Sequence, residues 1–415
     1  MDELGSPRVG GDGAVGASGT RPSFRWIDDQ RSFDAFVEAV SDAATYALDT
    51  EFHRERTYFA HLALVQLAVG EDVVLVDTLA VDPAALAPLL AGPATCVMHA
   101  ATQDLEILER VCGTLPRSLV DTQVAAGFVG LGSPGLGALI NRRLGINLPK
   151  ADRLTDWLQR PLPEGAARYA ATDVMYLDAL WSSLRAELEA RGRLDWALDE
   201  CDQLLRRQRE RPAAEQSWWR IKEARRLRGR ARGVAQQVAA WREERARRVD
   251  RPVRHVLPDL ALVAIAERPP RSTGDLARVR GLDSRHLRAG AAEELLAAVE
   301  AGMALDPEAI AEPPREGVDT SVRPAVTLAS AWVSQLARDA DLDAALVATR
   351  ADIEALVRGD RSSRLLSGWR ARVAGEPVRR LLTGDAALAF AGDGSLVLEA
   401  RSHRPPPDLA VPAPD

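Results

Sequence analysis

Cysteine is scarce in this chain: Cys96, Cys112 and Cys201 are the only three in 415 residues. They form no C-x-x-C pair, and an odd count speaks against a disulfide framework. The six histidines do not cluster with them, so a zinc site is not expected. Lysine is scarcer still, with only Lys150 and Lys222, so positive charge is carried by arginine. No apolar run reaches the roughly 18–20 residues that span a bilayer, and no membrane association is expected. The N-terminus lacks a charged-then-apolar signal pattern. Its Gly/Ala/Ser-rich stretch from Gly10 to Gly19 reads as a disordered tail, and no strand precedes those glycines to make a phosphate loop. A G-x-S-x-G elbow is missing, which removes an α/β-hydrolase. Together these absences favour a reducing compartment, and a cytoplasmic location is expected.

What is present is ordinary in bulk and uneven in detail. Hydrophobic residues are 46% and charged residues 27%. A single core rarely exceeds about 250–300 residues, so two or three domains are expected. The net charge of −7 would argue against a nucleic-acid partner if it were uniform, but Arg220 to Arg251 holds twelve Arg/Lys against four acids. Such a local excess is a candidate phosphate-binding face; the alternative is a solvated Arg-rich helix. Arg225, Arg228 and Arg232 are its candidate contacts.

The spacing predicts a short amphipathic helix at 32–40, then strands at 45–52, 62–69 and 73–77, the last two joined by a hairpin at Gly70-Glu71-Asp72. A strand at 95–99 and a helix at 102–111 follow. This order implies a mixed sheet with helices, an α/β or α+β domain. Beyond Thr122 the pattern turns helical, with candidate helices at 122–129, 136–144, 153–157, 163–189, 195–208 and 217–226. We expect tails at 1–22 and 402–415, an α/β domain over 23–210, an all-helical domain over 216–302, a Pro/Gly-rich linker at 303–323, and a third helical unit at 324–401 ending in a hairpin.

Asp49 and Glu51 stand two apart after the apolar run Tyr46-Ala47-Leu48, so in a strand they share one face. Side by side they repel unless a cation intervenes, and hard divalent cations favour oxygen ligands. Asp104 lies at a strand-to-helix junction. Asp121 reads as a helix N-cap. Tyr169 and Asp173 are four apart and share a helix face. Each piece by itself fits an ordinary strand end, cap or surface pair.

In combination, Asp49-Thr50-Glu51-Phe52-His53-Arg54-Glu55-Arg56-Thr57-Tyr58, His99-Ala100-Ala101-Thr102-Gln103-Asp104-Leu105, Asp121-Thr122-Gln123 and Tyr169-Ala170-Ala171-Thr172-Asp173-Val174 resemble ribonuclease D, of the exonuclease superfamily with four acids and a tyrosine. Residues 216–302 resemble an HRDC domain, and 324–401 look like a second, divergent one. The resemblance implies a ribonuclease H-like α/β nuclease followed by two small all-α HRDC-type units. It implies a 3′→5′ exoribonuclease using two divalent cations, Mg²⁺ or Mn²⁺, and releasing nucleoside 5′-monophosphates. Carried over, Asp49 bridges both metals, Glu51 and Asp173 complete the first, and Asp104 serves the second. Tyr169 would orient the attacking water. Phe52 and His53 would contact the terminal nucleotide, and Lys150 and Arg160 would contact phosphate. The expected partner is the 3′ end of RNA, tRNA precursors among the candidates, with no obligate protein partner. A DNA-directed exonuclease is the alternative polymer choice, and a non-catalytic RNA-binding scaffold the more distant one.

Overall fold

The computed structural model describes residues 23–148, 155–209, 214–313 and 321–401. Lys150, both expected tails, and parts of the expected 153–157 helix and of the linker lie outside the described residues. No helix among the described residues is long and apolar enough to cross a membrane.

Six strands form the nuclease sheet: β1 (Arg25–Ile27), β2 (Thr45–His53), β3 (His61–Val69), β4 (Asp72–Val76), β5 (Thr95–Met98) and β6 (Ser118–Asp121). Their order is β1-β4-β3-β2-β5-β6. The β2–β3 and β3–β4 pairs are antiparallel, while β2–β5 and β5–β6 are parallel. β3 is buried from Leu62 to Ala68, as a near-continuous apolar strand must be when both sheet faces are covered. On one face lie α1 (Gln30–Ala39), α2 (Ala87–Ala91) and α3 (Thr102–Cys112), whose Phe33, Leu89 and Leu108 pack with Tyr46 and Leu48 of β2. On the other lie α4 (Thr122–Gly127), α5 (Leu136–Leu144), α6 (Glu164–Met175) and α7 (Leu177–Ala190), packed with Ala47 and Leu64. The strand alternation therefore points Asp49 and Glu51 toward α6, and Thr50 toward α3. The expected helix over 163–189 is two helices, α6 and α7, separated at Tyr176. α8 (Leu194–Arg209) closes the domain beside β6.

Two appendages follow. In the first, α9 (Arg230–Arg248) and the helices Asp259–Glu267 and Ala291–Ala304 enclose a separate core of Trp218, Val234, Val238, Leu262 and Leu295. Gly233 and Gly302 let two of these helices touch: a Cβ added at Gly233 would lie 2.6 Å from the Gly302 carbonyl oxygen. The second holds the helices Arg323–Asp339, Arg350–Val357 and Glu376–Thr383, and the antiparallel hairpin of β7 (Ala386–Phe390) and β8 (Leu396–Ala400). Its Val326, Trp332, Val347 and Trp369 join the same cluster as α4–α7. The expected third unit thus starts near residue 324 along the chain but shares its core with the nuclease.

Candidate active site

The site lies beyond the carboxyl ends of the parallel strands β2 and β5, where open α/β sheets place their ligands. Asp49, Glu51 and Asp173 bring a carboxylate oxygen each to within 4.8 Å of one another. These three, with Asp104 and Tyr169, line one cavity of about 530 Å³. Phe52, His99, Gln103 and Leu136 complete much of its wall.

Local structure explains each placement. The β2–β3 register shifts between Glu51 and Phe52, so that Glu51 faces Leu64 and Phe52 faces Leu62, with Ala63 bulged between them. Bulges re-aim side chains beside active sites. α6 presents Asp173, 6% exposed, from a stripe of small buried residues, Ala167, Ala170 and Ala171, which lets the helix approach the sheet. Asp104, 7% exposed, stands in the first turn of α3 and accepts a 2.5 Å hydrogen bond from the Thr50 hydroxyl. It is therefore steered from the opposite strand face and stands apart from the three-acid group.

The turn before α3 depends on Asp121. Ala100 has φ +58°, a left-handed conformation costly for a residue with a Cβ. Asp121 Oδ1 accepts from the Ala100 N–H and Oδ2 from the Ala101 N–H, while Oδ1 also caps α4 at Gln123 and Val124. One buried carboxylate thus joins two helix starts. Burial holds His99 below its ordinary pKa despite the Asp121 charge. Its Nε2 lies 3.1 Å from the Pro134 carbonyl oxygen and its Nδ1 2.9 Å from the Thr122 hydroxyl, which itself donates to the Met98 carbonyl. Sequence reasoning assigned no role to Thr50, His99, Gln103 or Leu136. Thr50 and Gln103 are next to predicted acids, and that adjacency was the available signal; His99 opens the stretch that ends in Asp104.

The electrostatics suit cations. Burial, then the charges of Asp104, Asp173 and Glu51, hold Asp49 well above the ordinary carboxylate range. Burial and the Asp173 and Asp104 charges push Glu51 up to about 8. Burial raises Asp173 to about 7 against the Tyr169 hydroxyl, and Asp104 to about 6 against the Thr50 hydrogen bond. Crowded, desolvated carboxylates of this kind are a hard-cation donor set. Burial and the neighbouring acids also raise the Tyr169 phenol, so it stays protonated and can donate a hydrogen bond.

The expected nucleic-acid contacts divide. Phe52 lines the cavity. His53 is half-buried in the strand ladder opposite His61, outside the cavity lining. Arg160 is engaged within the protein. Its guanidinium donates to both Asp77 oxygens and to the carbonyls of Trp157, Gln159 and bulged Ala63, using every N–H. The Arg-rich segment also divides. Arg242 is buried against Asp259, and Arg245 and Arg248 grip Glu294. Arg232 donates to the Leu227 carbonyl and Arg225 is half-buried. Arg220, Lys222, Arg226, Arg228 and Arg230 remain exposed.

A family model described as a 3′-5′ exonuclease matches residues 24–189, and an HRDC domain model matches 231–299. Ribonuclease D of Gluconacetobacter diazotrophicus is 37% identical over 368 residues, 87% of this chain and 91% of the relative. Ribonuclease D of Jannaschia sp. is 38% identical over 376 residues, 88% of this chain and 97% of the relative. The chain belongs to the ribonuclease D family. Membership makes it a 3′-5′ exoribonuclease, a hydrolase. The crystal structure of Escherichia coli RNase D, described as an exoribonuclease involved in structured RNA processing, superposes with a TM-score of 0.79. It is 34% identical and covers 87% of this chain and 99% of that one. The catalytic core of RRP6 from Trypanosoma brucei shares the fold at 22% identity and a TM-score of 0.53.

Proposed function

We propose that this protein shortens structured RNA, tRNA precursors included, by removing one nucleoside 5′-monophosphate at a time from the 3′ end, and that it uses two divalent cations, Mg²⁺ or Mn²⁺. The observation that carries the reading is the convergence of Asp49, Glu51 and Asp173 at the ends of β2 and α6. These three would hold one cation. Asp49 and Asp104 would hold the second. Bound cations would supply activation of the attacking water and stabilisation of the leaving 3′ oxygen.

The chain's own residues do the rest. The protonated Tyr169 hydroxyl orients the attacking water, because a phenol with a raised pKa is a donor and not a base near neutral pH. Phe52 and Leu136 give the cavity apolar walls against which the terminal nucleotide can lie. Thr50 and Asp121 hold Asp104 and its helix in place. The exposed cations from Arg220 to Arg230 would hold the RNA body through its phosphates, a salt-dependent and largely sequence-independent contact. The three buried free cysteines support a reducing, cytoplasmic setting.

The test is digestion of 5′-labelled RNA and matched DNA with Mg²⁺ or Mn²⁺ and with chelator. We expect a ladder shortening from the 3′ end of RNA, abolished by chelator and by Asp49→Ala. Equal or faster digestion of DNA would overturn the RNA assignment, and cleavage that survives chelation would overturn the metal assignment.

A further inference from the structure

A second and larger cleft, about 820 Å³, lies between the nuclease and the first helical appendage. It begins one structural repeat from the active site. Phe52 lines the catalytic cavity and Arg54 the cleft; Gln103 of α3 lines the cavity and Glu106, one turn further, lines the cleft. Two residues of extended chain span about 7 Å and three helix residues about 4.5 Å. The two hollows are thus successive positions along one path.

The lining is cationic. Arg54, Arg207, Arg220 and Arg247 meet only two acids, Glu106 and Glu243. Both acids are engaged: Glu106 takes a two-pronged contact from Arg54, and Glu243 accepts from the Tyr58 hydroxyl at 2.7 Å. Arg207 donates to neutral Gln203. Arg220 has no ion pair among the described residues and is exposed. In the wall, Ser217 is 7% exposed and its Oγ meets no hydrogen-bond partner among the described residues. At its far end Arg220 leads into the exposed run Lys222, Arg226, Arg228 and Arg230.

Contacts bridge the two walls of the cleft. Besides the Tyr58–Glu243 bond, Arg247 lies over the Tyr58 ring at 5.7 Å, and the Phe59 N–H donates to Asp250 at 3.0 Å. Asp250 holds φ +47° at the end of α9 to make that contact.

We propose that this cleft is a second RNA subsite. It takes the phosphodiester backbone of the single strand upstream of the 3′ terminus, between the catalytic cavity and the exposed arginines of the helical appendage. The inference rests on the exonuclease reading of the cavity. Arg207 and Arg220 are its principal phosphate ligands, and the Tyr58 contact holds the walls apart.

The test measures binding of single-stranded RNAs of two to twenty nucleotides to the full chain by fluorescence anisotropy, independently of turnover. For the Arg207→Ala/Arg220→Ala double variant we expect about tenfold weaker binding of the longest RNA. The loss should shrink as the RNA shortens, and the slope of log affinity against log salt should fall by about 1–2, at about 0.7 per phosphate contact on a single strand. Arg220→Glu should weaken binding further, whereas Arg358→Ala, at an exposed arginine elsewhere, should bind as wild type. Wild-type affinity and salt slope in the double variant, or an equal loss at every RNA length, would overturn the subsite. Failure of the exonuclease reading would appear separately, as absence of RNA shortening by the wild-type protein.

Discussion

The two appendages that follow the nuclease meet it in opposite ways. The first, built on α9, keeps its own apolar core. It reaches the nuclease through polar contacts at Tyr58 and Phe59. The second, among the described residues, shares its core with the nuclease: Trp369 stacks on Trp196 of α8 at 5.2 Å and meets Phe128 edge-on. The Arg370 guanidinium is sealed against Glu200, the two side chains 3% and 5% exposed. A Cβ added at Gly127 of α4 would lie 2.3 Å from a Leu346 methyl. A polar seam leaves a module that can shape a groove without holding the fold together. A shared core makes the other appendage part of the nuclease, whatever its sequence resembles.

Breaking the shared core should cost most. Trp369→Ala should destabilise the nuclease and the second appendage together by about 3–5 kcal/mol, seen as a downward shift of the one cooperative transition the two share. Melting of the second appendage apart from the nuclease would instead mark an independent third domain. Next, Arg370→Ala should cost about 3–5 kcal/mol by stranding a buried Glu200 charge. Burial alone would raise Glu200, but the hydrogen bonds and charge of Arg370 outweigh it, and the net pKa is lowered. A folded pKa below the unfolded value of about 4.3 contributes stability above that value, lost as pH falls through the folded pKa. Acid melts of wild type should therefore show a loss below about pH 4–5 that the Glu200→Gln/Arg370→Met pair lacks.

Disturbing the seam should cost far less. Asp250→Ala removes one hydrogen bond and leaves Ala in a left-handed conformation, about 1 kcal/mol in the melt of the first appendage. Smallest in stability is Arg226→Ala/Arg228→Ala, within about 0.5 kcal/mol. That pair should still weaken binding of long RNA several-fold and flatten its salt dependence by about 1–2 in slope, checked by anisotropy at several salt concentrations.

Much of the site was legible because its spacing is local. Asp49 and Glu51 share a strand face and Tyr169 and Asp173 a helix face by periodicity alone, and β2, β3 and β4 fall within a residue of the predicted spans. What escaped depends on tertiary pairing. β1 is three residues long and exists because Arg25–Ile27 pairs with Val74–Val76. β6 was hidden behind the capping role of Asp121, a residue that serves both purposes. The break at Tyr176 carries no Gly or Pro to announce it. Arg160 offered a charge near a motif, but its partner Asp77 lies 83 residues away. The sharing of the nuclease core by residues 323–401 left no periodic trace, since an amphipathic helix looks the same whichever core it faces.

Catalysis at this site requires that the acid cluster hold cations. Anomalous diffraction from crystals soaked in Mn²⁺ with a nucleoside 5′-monophosphate tests this most directly. We predict two manganese peaks, one within reach of Asp49, Glu51 and Asp173 and the other shared by Asp49 and Asp104, with the nucleotide phosphate against both. A fully occupied nucleotide in the cavity with no metal at Asp49 would contradict it.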